Sequence, residues 1–350
     1  MADYIERDYL STTEVAAYLG IKAKEVISLV RIGKLPTNKS AGGQYRISIE
    51  QVKQIEQNYK TEKKEYDTEC LKLEINNTIQ KIFLGNSQNM SSLKNESVHL
   101  VITSPPYFNA KMYSNETIEN DLGNVHSMDD WFNEIGKVWT EVFRILQSGR
   151  KFFLNIMNLP IRENKTFRTL NLVGKSIDLC ERIGFVFKRD IVWHKTNGVR
   201  AHFGTYPYPG GILINNMHES ILEFQKPDNG KNNKYKHLTD EIKEKSKIDK
   251  DFWLSIKNSD VWLMKPEKSG DGRCHVAPFP YDLPYRFIKA YSYVGETILD
   301  PFCGSGTTLL AAKDLNRNGI GYEINPEFAS VIKERFEKEK HTLFKGANEN

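Results

Sequence analysis

Apolar positions change their spacing several times along the chain, and each change predicts an element. Val15, Ala16 and Leu19 share one helical face behind Ser11-Thr12-Thr13-Glu14, a capping-box pattern, and Gly20 stops the run. A second helical stretch covers residues 22–32, with Val26, Ile27, Leu29 and Val30 apolar, and ends at Gly33. Two short helices joined by a turn of about three residues have helix-turn-helix spacing. Gly42-Gly43 then separates Leu35-Pro36-Thr37 from Tyr45-Arg46-Ile47, which predicts a β-hairpin, and residues 48–52 begin another helix. Residues 59–78 alternate charge without a firm apolar stripe and read as a linker.

From residue 78 onward, short apolar runs alternate with amphipathic ones. Residues 78–84, 98–102, 151–156, 185–193, 297–299 and 319–322 read as strands. Residues 131–146 read as a helix closed by Gly149, residues 172–183 as one closed by Gly184, and residues 283–291 and 308–316 as two more. Strands alternating with helices predict an α/β, doubly wound sheet. The pattern breaks over about 195–273, where glycines, prolines and lysines accumulate around one further core strand at 218–224; the rest of that stretch is expected to be a target-recognition insertion, since loops on a rigid sheet carry specificity. Its lysines are balanced by Asp240, Glu241 and Glu244, so a solvated helix and a phosphate-binding face are both open. The expected organisation is a small domain at 1–58, a linker at 59–78, a main domain at 79–340 and a frayed tail at 341–350.

Totals change this picture little. A length of 350 residues holds two domains, and 39% hydrophobic residues suffice for a core. A net charge of +4 does not by itself argue for nucleic acid. Cys70, Cys180, Cys274 and Cys303 are far apart and form no Cys-x-x-Cys pair, so neither a disulfide framework nor a metal cluster is indicated. No apolar run of membrane-spanning length exists and the first residues are too polar for a signal peptide, so no membrane partner and a cytoplasmic location are expected.

The chemistry concentrates in residues 296–323. A short strand leads into Asp300-Pro301-Phe302-Cys303-Gly304-Ser305-Gly306-Thr307-Thr308, a helix follows, and the next strand ends at Glu323. Glycines at 304 and 306 allow close approach of a ligand to the backbone. An acidic residue about 20 positions later stands where a ribose-binding carboxylate belongs. No Gly-x-Gly-x-x-Gly and no Gly-Lys-Thr/Ser is present, so the loop suits an adenosine-containing cofactor without a pyrophosphate cradle.

That loop resembles the cofactor motif of S-adenosylmethionine-dependent DNA amino-methyltransferases, and Thr103-Ser104-Pro105-Pro106-Tyr107 resembles their catalytic motif. The catalytic motif comes first, as in the permuted β group, and the likeness covers residues 79–340. Residues 9–58 resemble the excisionase-type and mercury-regulator-type winged helix through the Thr-x-x-Glu-Val-Ala start, Gly33-Lys34-Leu35-Pro36 and Tyr45-Arg46-Ile47.

The resemblance implies a set of roles. Asp300, Pro301, Phe302, Gly304, Gly306, Thr307 and Thr308 would form the cofactor loop, with Asp300 and the loop amides on the methionine portion and Glu323 on the ribose hydroxyls. Phe279 and Pro280 would lie against the methionine end, and Asn86 would stand near the adenine where the family usually has Asp. The Ser104 hydroxyl and Pro105 carbonyl would each accept a hydrogen bond from the target amino group, with the prolines Pro105 and Pro106 fixing φ, while Tyr107 stacks on the extruded base. Lys22, Lys24 and Arg31 would face a DNA groove and Arg46 would touch phosphate. In the family, Ser at the first motif position goes mostly with N4 of cytosine and Asp mostly with N6 of adenine, so Ser104 implies cytosine N4, with adenine N6 as the alternative. Double-stranded DNA and a cognate restriction endonuclease are the implied partners, in a prokaryotic, nucleoid-associated monomer or weak homodimer. A cytosine ring-carbon methylase needs a Pro-Cys-Gln cysteine, which is missing, and Cys303 reads as a small packed residue. An RNA or protein methyltransferase, or a DNA-binding regulator with a spent domain, are the competing classes.

Overall fold

The computed structural model describes residues 9–19, 26–27, 30, 35, 38–39, 45–53, 70–75, 77–107, 121–125, 127–163, 166–196, 209–210, 214–228, 230, 234–267 and 279–345. The chain divides into two compact units, 1–68 and 69–350. No helix among the described residues is long and apolar enough to cross a membrane.

In the first unit, strand β1 (Tyr9–Leu10) leads into helix α1 (Thr12–Leu19), and strands β2 (Asn38–Lys39) and β3 (Tyr45–Ser48) pair antiparallel, giving the sheet order β1-β3-β2. The expected capping box forms: Ser11 N and Oγ both donate to Glu14 Oε2, at 2.9 and 2.8 Å. Leu10, Val15, Ala16, Val26, Leu35, Ile47 and Val52 make a separate small core.

The second unit is built on a nine-stranded sheet. Its strands are β4 (Cys70–Ile75), β5 (Thr78–Leu84), β6 (Val98–Thr103), β7 (Leu146–Ile156), β10 (Val186–Lys195), β11 (His218–Gln225), β12 (Val261–Met264), β13 (Thr297–Asp300) and β14 (Asn318–Glu323). A hairpin of β8 (Leu159–Glu163) and β9 (Thr166–Leu170) stands apart. The order is β12-β10-β11-β7-β6-β13-β14-β5-β4. Strands β7, β6, β13, β14 and β5 run parallel, while β11 and β4 are antiparallel to their neighbours. The sheet is therefore α/β, as expected, but mixed in direction.

Helices α2 (Met128–Ile145) and α3 (Leu172–Ile183) bury Trp131, Trp139, Val142 and Cys180 with Phe152 and Leu154 of β7. Phe153, one residue out of phase, joins Leu100, Ile102 and Ile298 in the other cluster, with helices α6 (Asp282–Tyr291) and α7 (Thr307–Asp314). Period-two alternation along β7 thus feeds two cores on opposite faces. Helix α8 (Glu327–Lys345) adds Phe328, Ile332 and Phe336 over β4 and β5. Two short helices, α4 (Asp240–Lys245) and α5 (Lys250–Lys257), precede β12.

Three expectations are corrected. Residues 70–75, read as linker, form an edge strand: Leu71, Leu73 and Ile75 pack onto the Phe328 cluster while Lys72 and Glu74 face out. Gly149 does not close α2, which ends at Ile145; Gly149 has φ 77° inside β7, so the strand follows the helix directly. Within 195–273 not only β11 but also β12 joins the sheet, parallel to β10. Over that stretch Lys243, Lys245 and Lys247 pair with Asp240, Glu241 and Glu244, the solvated-helix alternative.

Candidate active site

Parallel pairing decides where the motifs meet. Leu100 and Val101 of β6 lie opposite Ile298 and Leu299 of β13, so both strands end at the same edge of the sheet. Asp300 of β13 lies opposite Gly321 of β14, and Glu323 opposite Leu84 of β5, which adds residues 85 and 86 to that edge. In an open parallel sheet the crevice at the carboxyl ends is where ligands bind. Residues 103–107 and 300–308 adjoin there despite nearly 200 intervening positions.

A direct bond joins them. Thr103 Oγ1 donates to Asp300 Oδ1 at 2.6 Å, Phe302 N donates to the same oxygen at 3.1 Å, and Thr308 Oγ1 donates to Oδ2 at 2.6 Å. Asp300 is fully buried, and burial pushes its carboxyl up to about 6, against the three hydrogen bonds that pull it down. Three of its lone pairs are taken up by the chain itself. Asp300 braces the cofactor-type loop against the strand that carries Ser104, and one lone pair is left for the ligand contact that the resemblance implies.

Gly304 and Gly306 have φ of 49° and 79°, a region open to glycine at little cost, and Gly306 N-caps α7. Gly321 is required for packing: a Cβ there would lie 2.7 Å from Cys303 Sγ. Burial raises the Cys303 thiol, so it is inert packing, as expected. Pro301 is buried, and partly buried Phe302 stands edge-on to Trp139. Arg335 of α8 donates to Ser305 O and Thr307 Oγ1, which ties the loop to that helix.

Glu323 closes the loop's other side. Its Oε2 accepts from Gly304 N and its Oε1 from Asn325 N, both at 2.9 Å. Burial, with the charges of Asp121 and Asp300, pushes this carboxyl up to about 7 despite those amides. A carboxylate accepts about four hydrogen bonds, so two lone pairs remain for a vicinal diol. This acceptor set fits the ribose of a nucleoside. Asn86 adjoins it through Gly85 N, which donates to Glu323 O, but its own amide is engaged with Gln88 in a local turn. Pro280 is buried, and Phe279 sits in the cluster with Leu100 and Phe153.

The Ser104 to Tyr107 loop is pinned at its far end. Trp131 Nε1 donates to Pro106 O at 3.1 Å, and Met157 N donates to Tyr107 Oη at 3.1 Å. Pro105 is buried; Ser104 and Tyr107 are partly exposed. Tyr107 and Phe302 pack against the same core cluster, which brings the two loops together. Asn155 of β7 approaches Ser104, with Nδ2 3.4 Å from Oγ. Sequence reasoning missed Asn155 and Trp131, and placed Thr103 in the motif without a role. The available signal was a lone polar residue in the apolar run Phe152-Phe153-Leu154-Asn155-Ile156.

Of the residues implied to bind DNA, Arg46 is exposed on β3; Lys22, Lys24 and Arg31 lie outside the described residues. At the sheet's opposite edge His99, His237 and Glu296 cluster. Their chemistry does not suit a metal. Thr297 N donates to His99 Nδ1, so the ring proton of neutral His99 is on Nε2, and burial holds its pKa down to about 4. Arg150 already occupies both oxygens of Glu296.

Comparison with known proteins agrees with this geometry. The profile of the N6/N4 DNA methylase family matches residues 98–334, and that of a helix-turn-helix domain residues 9–55. Type II methyltransferase M.MjaI of Methanocaldococcus jannaschii is 33% identical over 74% of this chain and 91% of its own length. Type II methyltransferase M.MthZI of Methanothermobacter thermautotrophicus is 30% identical over 74% and 76%. Among solved structures, a DNA modification methylase of Thermus thermophilus, crystallised with S-adenosyl-L-methionine, superposes with a TM-score of 0.59 at 30% identity over 74% of this chain and 93% of that one. The cytosine-N4-specific PvuII DNA methyltransferase shares the fold, with a TM-score of 0.53 at 21% identity over 73% and 86%. With two motif loops joined at one sheet edge and this similarity across the main unit, the chain belongs to the N6/N4 family of DNA methylases.

Proposed function

We propose that this protein is a site-specific DNA methyltransferase of the permuted β group that methylates N4 of cytosine in double-stranded DNA, as the modification enzyme of a restriction-modification system. The single observation that carries it is the Thr103 to Asp300 hydrogen bond, which holds the Ser-Pro-Pro-Tyr loop beside the Gly304 and Gly306 turn. S-adenosyl-L-methionine, when bound, supplies an electrophilic methyl group. Glu323 would hold its ribose, Gly304 and Gly306 would give it backbone access, and Phe302 would pack beside it.

An exocyclic amino nitrogen is a poor nucleophile because its lone pair is delocalised into the ring. The Ser104 hydroxyl and Pro105 carbonyl each accept one of its N–H bonds, which turns the lone pair outward. Tyr107, its hydroxyl fixed by Met157 N, offers its face to the extruded base; such stacking contributes about 1 to 3 kcal/mol. Orienting the nitrogen for in-line attack accounts for much of the remaining acceleration. Ser104 at the first motif position supports cytosine N4 over adenine N6, and the relatives named Type II methyltransferases support the restriction-modification setting.

Incubation of unmethylated genomic DNA with the protein and labelled cofactor, followed by nucleoside mass spectrometry, tests this reading. N4-methylcytosine is expected; N6-methyladenine alone would move the assignment to adenine. Ser104→Ala should abolish transfer while cofactor binding persists, and an active Ser104→Ala variant would remove the assigned role.

A further inference from the structure

The catalytic-type serine has neighbours that the motif does not name. Asn155 lies on β7, one strand from β6, and points its amide nitrogen at Ser104 Oγ across 3.4 Å. The other N–H of that amide donates to Glu219 Oε2 at 2.6 Å, and Glu219 Oε1 is held by Lys195 Nζ at 2.6 Å. Strand β11 runs antiparallel to both β10 and β7, so Glu219 near its start and Lys195 at the end of β10 reach the same edge as the motif loops. Four side chains from four adjacent strands make one row.

We propose that Asn155, its amide oriented by the Glu219 and Lys195 pair, is a positioning residue that fixes the Ser104 hydroxyl for methyl transfer. The proposal rests on the reading of Ser104 as the acceptor for the target amino group. A carboxylate accepts only, so Glu219 dictates which way the Asn155 amide is turned: rotating it would set Oδ1 against the Glu219 oxygen. The orientation is kept although Asn155 is buried and its Oδ1 has no partner among the described residues. That orientation leaves an N–H facing Ser104. Donation from Asn155 takes one lone pair of the Ser104 oxygen and selects its rotamer, and the second lone pair is left for the incoming N–H. The distance of 3.4 Å is at the long end for a hydrogen bond, and such contacts at active sites shorten when the reacting complex assembles.

The test uses the full-length protein, unmethylated genomic duplex DNA and tritiated S-adenosyl-L-methionine. Turnover at saturating cofactor and cofactor affinity by equilibrium dialysis are measured for wild type, Ser104→Ala, Asn155→Ala and Asn155→Asp. Asn155→Ala should lower kcat about tenfold or more with cofactor affinity unchanged, the signature of an interaction made on the way to the transition state. Asn155→Asp places a second carboxyl beside Glu219. The two share a proton only towards low pH, so the variant's kcat should fall as pH rises over a range in which wild-type kcat stays level. A wild-type kcat for Asn155→Ala, with Ser104→Ala inactive, overturns this proposal and leaves the reading of the site intact. An active Ser104→Ala overturns the reading itself. Loss of cofactor binding in both Asn155 variants makes the residue structural and likewise overturns the proposal.

Discussion

Cofactor affinity should depend on pH through Glu323. Its carboxyl is pushed up to about 7, chiefly by burial, and only two backbone amides stabilise its charge. If ribose hydroxyls donate to it, they favour the ionised form, so binding lowers its pKa and releases a proton below neutrality. With a pKa of about 7, roughly one carboxyl in eleven is ionised at pH 6 and about ten in eleven at pH 8. A ligand selective for the ionised form therefore binds about tenfold more weakly at pH 6 than at pH 8. Calorimetric titration of S-adenosyl-L-methionine at both pH values, in two buffers of different protonation enthalpy, measures the affinity and the proton released. Glu323→Gln should bind weakly and lack this component. The ligand's own amino group titrates alike in both proteins, so the comparison removes it. Equal wild-type affinities at pH 6 and 8, or the same slope in Glu323→Gln, would refute the reasoning.

Three further outcomes are expected. Asp300 ionises near 3.8 in the unfolded chain and near 6 in the fold, so wild-type stability should fall as pH rises between those values, by on the order of 3 kcal/mol. Asp300→Asn should abolish that fall in urea titrations at pH 4 and 7 while weakening the tie to Thr103. Tyr107→Phe keeps the ring but loses the bond from Met157 N, so it should cost about 1 kcal/mol in thermal unfolding and leave transfer largely intact, whereas Tyr107→Ala should abolish transfer. Removing residues 1–58 should weaken DNA binding and flatten its salt dependence in fluorescence-anisotropy titrations without lowering kcat at saturating DNA. Unchanged affinity would mean that this unit docks on something other than DNA.

Local chemistry was legible in the residue string. A capping box needs only Ser11 and Glu14, three positions apart, and both make their bonds. Helix 172–183 and its stop at Gly184 follow from apolar spacing and one glycine at φ 122°, and the glycine turn at 304 and 306 follows from backbone freedom. The two motif loops were recognisable for the same reason: prolines and glycines dictate backbone shape over a few residues. What the string could not show depends on partners far along the chain. Strand β4 looked like charged linker because its burial exists only once α8 covers it, and β12 looked like loop because its pairing is with β10, some 70 residues away. That Thr103 and Thr308 donate to the oxygens of Asp300 follows from strand register, which the string does not show. The row of Ser104, Asn155, Glu219 and Lys195 has no sequence spacing at all. Short-range sterics wrote the loops into the sequence, and only the sheet, by choosing which strand ends lie side by side, decided which of their side chains face one another.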